Sequence, residues 1–304
     1  MSIIFPVGIT IDIPPVSFSF MPIITMERLM GFNEGYLEYP DGLKIRYRIN
    51  EHNKGAVAVF IHGVGERLET YDYMFPYFET AGIGLNALEL RGHGKSGGAL
   101  SSFYDFSFFA KDFKRFIFGN LQNRPVFLVS TGAGSLLAVC IAADPRFLIR
   151  GTVFVSPLFF ASVPPSKMLS IQLLARILPG MFVPSPWTSG PAAFCCGDEA
   201  QGLQRGRFPA GFFRALFSEM KRARSDLLLL RSFPSLLVYS EEDLISDIAQ
   251  TQQLFKSAFA DSQNLKVVSC KKCTHQILVD KDRLDFVEKI IRWISKIETG
   301  GKAE

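Results

Sequence analysis

Short apolar runs alternate with stretches of helical period along most of this chain, and that rhythm constrains the fold more than any single motif. Runs of strand length fall at 56–61 (A-V-A-V-F-I), 83–90, 126–130 (V-F-L-V-S), 151–156 (G-T-V-F-V-S), 233–240 and 265–269. Between them, residues 71–81, 103–118, 133–143, 247–259 and 282–297 carry helical character. Strands that are apolar on both faces belong between two layers of helices. The alternation therefore predicts an α/β fold with a mostly parallel central sheet flanked by helices. A hairpin is expected ahead of it, because 35–49 reads alternating strand, a Pro-Asp-Gly turn and alternating strand. Phe103, Phe106, Phe109, Phe113 and Phe116 recur at helical spacing and predict a core-facing helix surface.

The rhythm breaks at 158–232, which is rich in Pro, Phe and Leu and contains Met168, Met181 and Met220. This stretch is expected to be an inserted helical cap. The organisation expected is an apolar, Pro-containing extension at 1–34, a first core part at 35–157, the cap at 158–232, a second core part at 233–297 and a flexible tail at 298–304. Residues 1–26 carry Asp12 as their only charge and have Pro at 6, 14, 15 and 22. A signal peptide needs a basic start and an unbroken apolar stretch. The extension is read instead as an irregular or strand-like segment packed on the domain. Targeting, or weak membrane contact through Phe5, Phe18 and Phe20, is the alternative.

Composition excludes several classes. With 304 residues, 48% hydrophobic and 20% charged, the chain is globular and neither disordered nor a coiled coil. A net charge of +4 from 33 basic and 29 acidic scattered residues gives no nucleic-acid footprint. No apolar window is long enough to span a bilayer. Five cysteines are an odd number and no disulfide framework, so thiols in a reducing, cytoplasmic setting are expected, with membrane association as an alternative. Cys270 and Cys273 form a lone C-x-x-C without a second pair or histidines at ligand spacing, so neither metal nor cofactor is expected.

Three separated pieces carry chemistry. His62-Gly63-Val64-Gly65 follows a strand, and its glycines let backbone N–H groups approach a ligand, as half of an oxyanion hole does. The strand–turn–helix at 126–143 has the shape of a nucleophile elbow, G-x-S-x-G, in which small residues flank a strained apex. Here the stretch reads Ser130-Thr131-Gly132-Ala133-Gly134, and the apex is glycine. Downstream, Asp243 and His275 each follow a strand, in the order acid then histidine that this fold uses. An acid that orients a histidine base is the logic of a catalytic triad.

With F-I-H-G-V-G-E at 60–66, L-R-G-H-G-K-S-G-G at 90–98, F-L-V-S-T-G-A-G-S at 127–135, E-E-D at 241–243 and C-T-H at 273–275, the chain resembles the monoacylglycerol lipase/lysophospholipase branch of the α/β-hydrolases, also labelled serine aminopeptidase-like. The resemblance covers about residues 35 to 297, in order. Members of that branch usually show G-H-S-M-G-G at the elbow. Aligning that motif puts Ser130 at a Gly, Thr131 at a His, Gly132 at the nucleophilic Ser and Ala133 at a Met. The resemblance implies oxyanion amides from Val64 and Ala133, with Asp243 and His275 as acid and base. It also implies an acylglycerol, lysophospholipid or other lipid-like ligand under a lid at 158–232; the Leu, Phe and Met content of that stretch fits such a ligand or peripheral membrane contact, and ordinary packing of the cap on the core explains it equally. Glu89 stands where Asp is common before R-G-H-G. Gly94-Lys95-Ser96-Gly97-Gly98 matches G-x-S-x-G by spelling alone, since it joins no strand to an apolar helix.

Glycine offers no attacking oxygen. The expected protein is a degenerate hydrolase that retains lipid or partner binding. The alternative is an active carboxylic-ester hydrolase using Thr131, Ser135 or a bound water with His275 as base. His62 and His93 are expected to position loops, Asp112 to be a solvated or capping charge, Asp247 to cap a helix, and Lys221, Arg222 and Arg224 to form a small basic cluster that is either a solvated face or attracted to anionic lipid headgroups.

Overall fold

The alternating pattern assembles into one large sheet. The computed structural model describes residues 2–4, 10–12, 32–50, 55–98, 105–121, 124–187, 207–260, 263–301 and 303. In chain order the elements are β1 (Ser2–Ile4), β2 (Thr10–Asp12), β3 (Asn33–Glu38), β4 (Lys44–Ile49), β5 (Val57–Ile61), α1 (Met74–Thr80), β6 (Gly84–Leu88), α2 (Ser107–Asn120), β7 (Val126–Thr131) and α3 (Gly134–Ala142). They continue as β8 (Ile149–Val155), α4 (Pro165–Ile177), β9 (Phe182–Pro184), β10 (Arg207–Pro209), α5 (Ala210–Asp226), β11 (Ser235–Ser240), α6 (Ile248–Ala258), β12 (Leu265–Cys270) and α7 (Arg283–Glu298).

Eight strands form the central sheet in the order β12-β11-β8-β7-β5-β6-β4-β3. The pairs from β6 through β5, β7, β8 and β11 to β12 are parallel. The predicted hairpin β3–β4 is antiparallel and closes one edge. Every residue of β5, β6 and β7 is buried, which is why these strands are predominantly apolar, with Asn86, Ser130 and Thr131 as buried polar exceptions. Alternate side chains of β5 feed opposite faces: Val57, Val59 and Ile61 join the core under α2 and α3, whereas Ala58 and Phe60 join the core under α1 and α7. The Phe stripe faces the core as its period predicts, with Phe106, Phe109, Phe113 and Phe116 buried, while Phe103 lies outside the described residues. Helix α3 is apolar all round because the sheet, α2 and the cap helix α5 cover it.

The cap rises between β8 and β11 as α4, the β9–β10 ribbon and α5. An apolar row on α4 (Leu169, Leu173 and Ile177) is exposed, and Leu178 and Met181 extend it. The basic cluster of α5 is not a free patch: Arg222 pairs with Glu219 at 2.6 Å, and Arg224 donates to the Phe159 carbonyl while covering the Phe160 ring. Asp247 caps α6 by accepting from the Gln250 amide. Asp112 departs from expectation. It is buried, bonded to Arg91 and Tyr39, because α2 turns that position toward the sheet edge. Of the N-terminal extension, β1 and β2 pair as an antiparallel ribbon, and Phe5, Phe18 and Phe20 lie outside the described residues. Among the described residues no helix is long and apolar enough to cross a membrane.

The chain order reverses between β5 and β7. From β5 it runs to β6 on one side, and it later returns to β7 on the other. In open α/β sheets, loops leaving the strand ends at such a switch point part to form a ligand crevice. The His62–Glu66 loop and the β7–α3 turn meet there.

Candidate active site

The β7–α3 turn pivots on Gly132, whose φ of +49° is left-handed. A non-glycine residue rarely adopts that region, so the turn keeps the strained geometry of a nucleophile elbow. Gly134 is required for a second reason. A Cβ on it would lie 2.5 Å from the Ile61 carbonyl oxygen and 2.6 Å from that of His62, so α3 can approach β5 only without a side chain at this position. Gly132 faces a different neighbour: a Cβ on it would lie 3.3 Å from His275 Nε2, with Gly63 Cα next at 3.9 Å.

His275 and Asp243 arrive from two other strand ends and meet. Asp243 follows β11, and its carboxylate is completely buried. Its Oδ1 accepts from the Ile245 and Ser246 amides at 2.8 and 2.9 Å, and Oδ2 takes His275 Nδ1 at 2.8 Å. The imidazole is 9% exposed and turns Nε2 toward residue 132. The loop that carries it is pinned from below. Ser240 Oγ donates to the Cys273 carbonyl at 2.5 Å, and Thr274 donates to Asp280 through its amide and its hydroxyl. Cys270 and Cys273 are joined by a disulfide, which corrects the expectation of thiols there. The turn after β12 holds their Cα atoms 5.6 Å apart, inside the span that a disulfide bridges. Their state therefore gives no support to a reducing compartment. Cys140 is a free thiol.

The neighbouring hydroxyls are committed elsewhere. Ser130 Oγ donates to the Val153 carbonyl at 2.9 Å and lies 3.2 Å from Ser135 Oγ. Thr131 Oγ1 donates to Glu66 at 2.9 Å and accepts from the Gly63 amide at 3.0 Å. Ser135 is buried in the first turn of α3. The look-alike Ser96 accepts from the Arg46 amide and donates to the Glu89 carbonyl, so it braces the 90–98 loop. The sequence reading assigns no role to Glu66. The structure makes it the organiser of the His62–Glu66 loop, since its Oε2 takes the Gly63 amide, Thr131 Oγ1 and Tyr71 OH together. Its place at the end of F-I-H-G-V-G-E was the available signal. Among the described residues, neither the Val64 amide nor the Ala133 amide has a hydrogen-bond acceptor.

His62 and His93 position loops, as expected. His62 Nε2 accepts from the Leu90 amide at 3.0 Å, and its Nδ1 faces the Gly63 carbonyl at 2.8 Å. His93 Nε2 accepts from the Gly65 amide at 2.9 Å, and its Nδ1 faces the Arg91 carbonyl. Both rings are thereby fixed as the neutral form with hydrogen on Nδ1. Burial, helped by His62, pushes the His93 imidazole down from 6.5 to about 4. A folded value below the unfolded one means that the unfolded chain binds the proton first. The stability that neutral His93 contributes is thus full above pH 6.5 and lost as pH falls toward 4. The melting temperature of the wild type is expected to fall across this window. In His93→Gln, whose side-chain carbonyl can still accept from Gly65, that fall becomes shallower. Equal slopes would show that His93 does not titrate as described.

This architecture and site define an α/β-hydrolase. Residues 52–282 match the family model described as serine aminopeptidase, and the chain belongs to that family, in its monoacylglycerol lipase-like branch. It is 23% identical over 266 residues to a monoacylglycerol lipase of Mycolicibacterium smegmatis, covering 83% of this chain and 93% of that protein. It is 28% identical over 174 residues to the monoglyceride lipase of Mus musculus, covering 53% and 57%. Among solved structures, the Paleococcus ferrophilus monoacylglycerol lipase superposes with a TM-score of 0.65 at 21% identity, covering 88% of this chain and 99% of that one. A soluble variant of the Saccharomyces cerevisiae monoglyceride lipase, in complex with a substrate analog, gives 0.71 at 16% identity, covering 88% and 95%.

Proposed function

We propose that this chain is a degenerate hydrolase, an α/β-hydrolase-fold protein that binds an acyl lipid without serine catalysis. The observation that carries the reading is Gly132 at the left-handed apex beside His275 Nε2, with the Ser130 and Thr131 hydroxyls donating to the Val153 carbonyl and to Glu66 instead. An imidazole base needs an oxygen to deprotonate, and glycine offers none. In serine hydrolases the loss of the nucleophile costs on the order of a millionfold in kcat, leaving roughly 10³–10⁴ over water from the oxyanion hole and binding. The parts that bind an acyl group persist: the His275–Asp243 pair, the Val64 and Ala133 amides, and an apolar cap. The relatives named above are lipases of monoacylglycerols, which favours an acylglycerol, lysophospholipid or similar ligand. The exposed apolar row on α4 supports peripheral contact with a lipid surface.

Turnover of 1-monododecanoylglycerol tests the reading. The wild type is expected to release fatty acid no faster than a folded His275→Ala variant. Release that depends on His275 would instead establish an active ester hydrolase. Loss of that release in Thr131→Ala or Ser135→Ala would then locate a relocated nucleophile, and its survival in both would indicate an activated water.

A further inference from the structure

We propose that the ligand of this site is a free aliphatic carboxylic acid in preference to its ester, an inference that rests on the binding role argued above. Two sets of polar groups without partners among the described residues border the Gly132 turn. On one side, His275 Nε2 points at residue 132 and has no partner among the described residues, although its ring is nine-tenths buried and its Nδ1 is tied to Asp243. On the other side, the Val64 and Ala133 amides are free donors, the latter at the start of the nine-residue helix α3, whose dipole adds positive potential. An ester carbonyl matches the amides and leaves the imidazole unmatched. A carboxyl group matches both sets: one oxygen accepts from the amides, and the other shares a proton with Nε2, whichever of the two carries it. That second oxygen needs the position in which a serine Oγ would stand, and glycine at 132 places no side chain there. Glu66, the acidic group on the facing loop, has its Oε2 saturated by three donors and so opposes the ligand less than a bare carboxylate would.

The aliphatic part follows from what borders the turn. Val64 and Ala133 belong to the same continuous apolar core as Leu158, Phe159, Phe208 and Phe212. The surroundings of the turn are therefore apolar, which suits an aliphatic rather than a polar remainder of the ligand.

Sites built to hydrogen-bond a group reject analogues that lack it far more strongly than pockets reject a missing methylene. Calorimetric titration of the full chain with dodecanoate, 1-dodecanol, methyl dodecanoate and 1-monododecanoylglycerol, each below its aggregation threshold, reads the preference directly. Dodecanoate is expected to bind at least about tenfold tighter than each of the other three. That preference is expected to vanish in Gly132→Ser, where Oγ takes the place of the ligand oxygen, and in His275→Leu, which removes Nε2. The second variant serves if the first does not fold. Equal affinity for acid and alcohol overturns the inference, as does tighter binding of the monoglyceride, and both leave the lipid-binding reading standing. A preference for the acid that persists in a folded variant also overturns it. Binding of none of the four removes the inference and the underlying reading together.

Discussion

Gly132→Ser is expected to raise hydrolysis of 1-monododecanoylglycerol or of a p-nitrophenyl ester by at least about a hundredfold over the wild type. On the reading proposed above, the new hydroxyl would join a base, an acid and oxyanion amides that are already present. Its Cβ falls 3.3 Å from His275 Nε2, which puts the attached oxygen within reach of the base after a shift of a few tenths of an ångström. The base is already oriented by a buried carboxylate, and the Ala133 amide follows the apex directly. The substitution costs stability, because a side chain at φ +49° is strained by about 1–2 kcal/mol. A melting temperature lowered by a few degrees alongside a gain in activity is therefore the expected pair of results. The gain should disappear in Gly132→Ser/His275→Ala. No gain in a well-folded Gly132→Ser would mean that the site has drifted beyond its missing oxygen.

Arg46→Leu is expected to destabilise the fold by roughly 3–5 kcal/mol, as loss of one partner of a buried ion pair does. The Arg46 side chain is fully buried in β4 and joins Glu89 through Nε and Nη2, at 2.9 and 2.7 Å. Glu89 is equally buried and also accepts the Leu68, Lys95 and Ser96 amides. This carboxylate ties β4, the 90–98 loop and the start of the turn before α1 into one unit. Without Arg46 its charge is left without the buried cation that pairs with it, whereas Arg46→Leu/Glu89→Gln should recover part of the loss. Chemical denaturation of both variants measures the difference, and equal stabilities would contradict the account. Arg46 also holds Glu69. Burial pushes the Glu69 carboxyl up, but the guanidinium outweighs it and keeps the group at about 2. A depressed carboxyl value contributes stability above pH 4.5 that fades as pH falls toward 2, and this part of the acid transition should shrink in Arg46→Leu.

Much of this was legible in the residues. The apolar runs placed β5 to β8, β11 and β12 to within a residue or two, because the inner strands are buried on both faces and are mostly apolar. Asp243 and His275 could be paired from chain order alone, since the fold delivers the ends of β11 and β12 to one edge of the crevice. Other features depend on contacts that no local pattern encodes. Asp112 looks solvated in sequence, yet its position on α2 meets Arg91 and Tyr39 across the sheet edge. The Cys270–Cys273 bond depends on the tightness of one turn. Glu66 gains its role only when Thr131, 65 residues later, comes beside it. Glu89, noted as a departure from a common Asp, acquires its meaning from Arg46 in the preceding hairpin.

We infer that residue 132 occupies the bend where an attacking oxygen would stand. Intact-mass analysis after treatment with a fluorophosphonate tests it most directly, because the reagent marks an activated nucleophile covalently. The account predicts an unmodified wild-type mass and a single adduct on Gly132→Ser. An adduct on the wild type that maps to Thr131, Ser135 or any other hydroxyl and disappears with His275→Ala would contradict it.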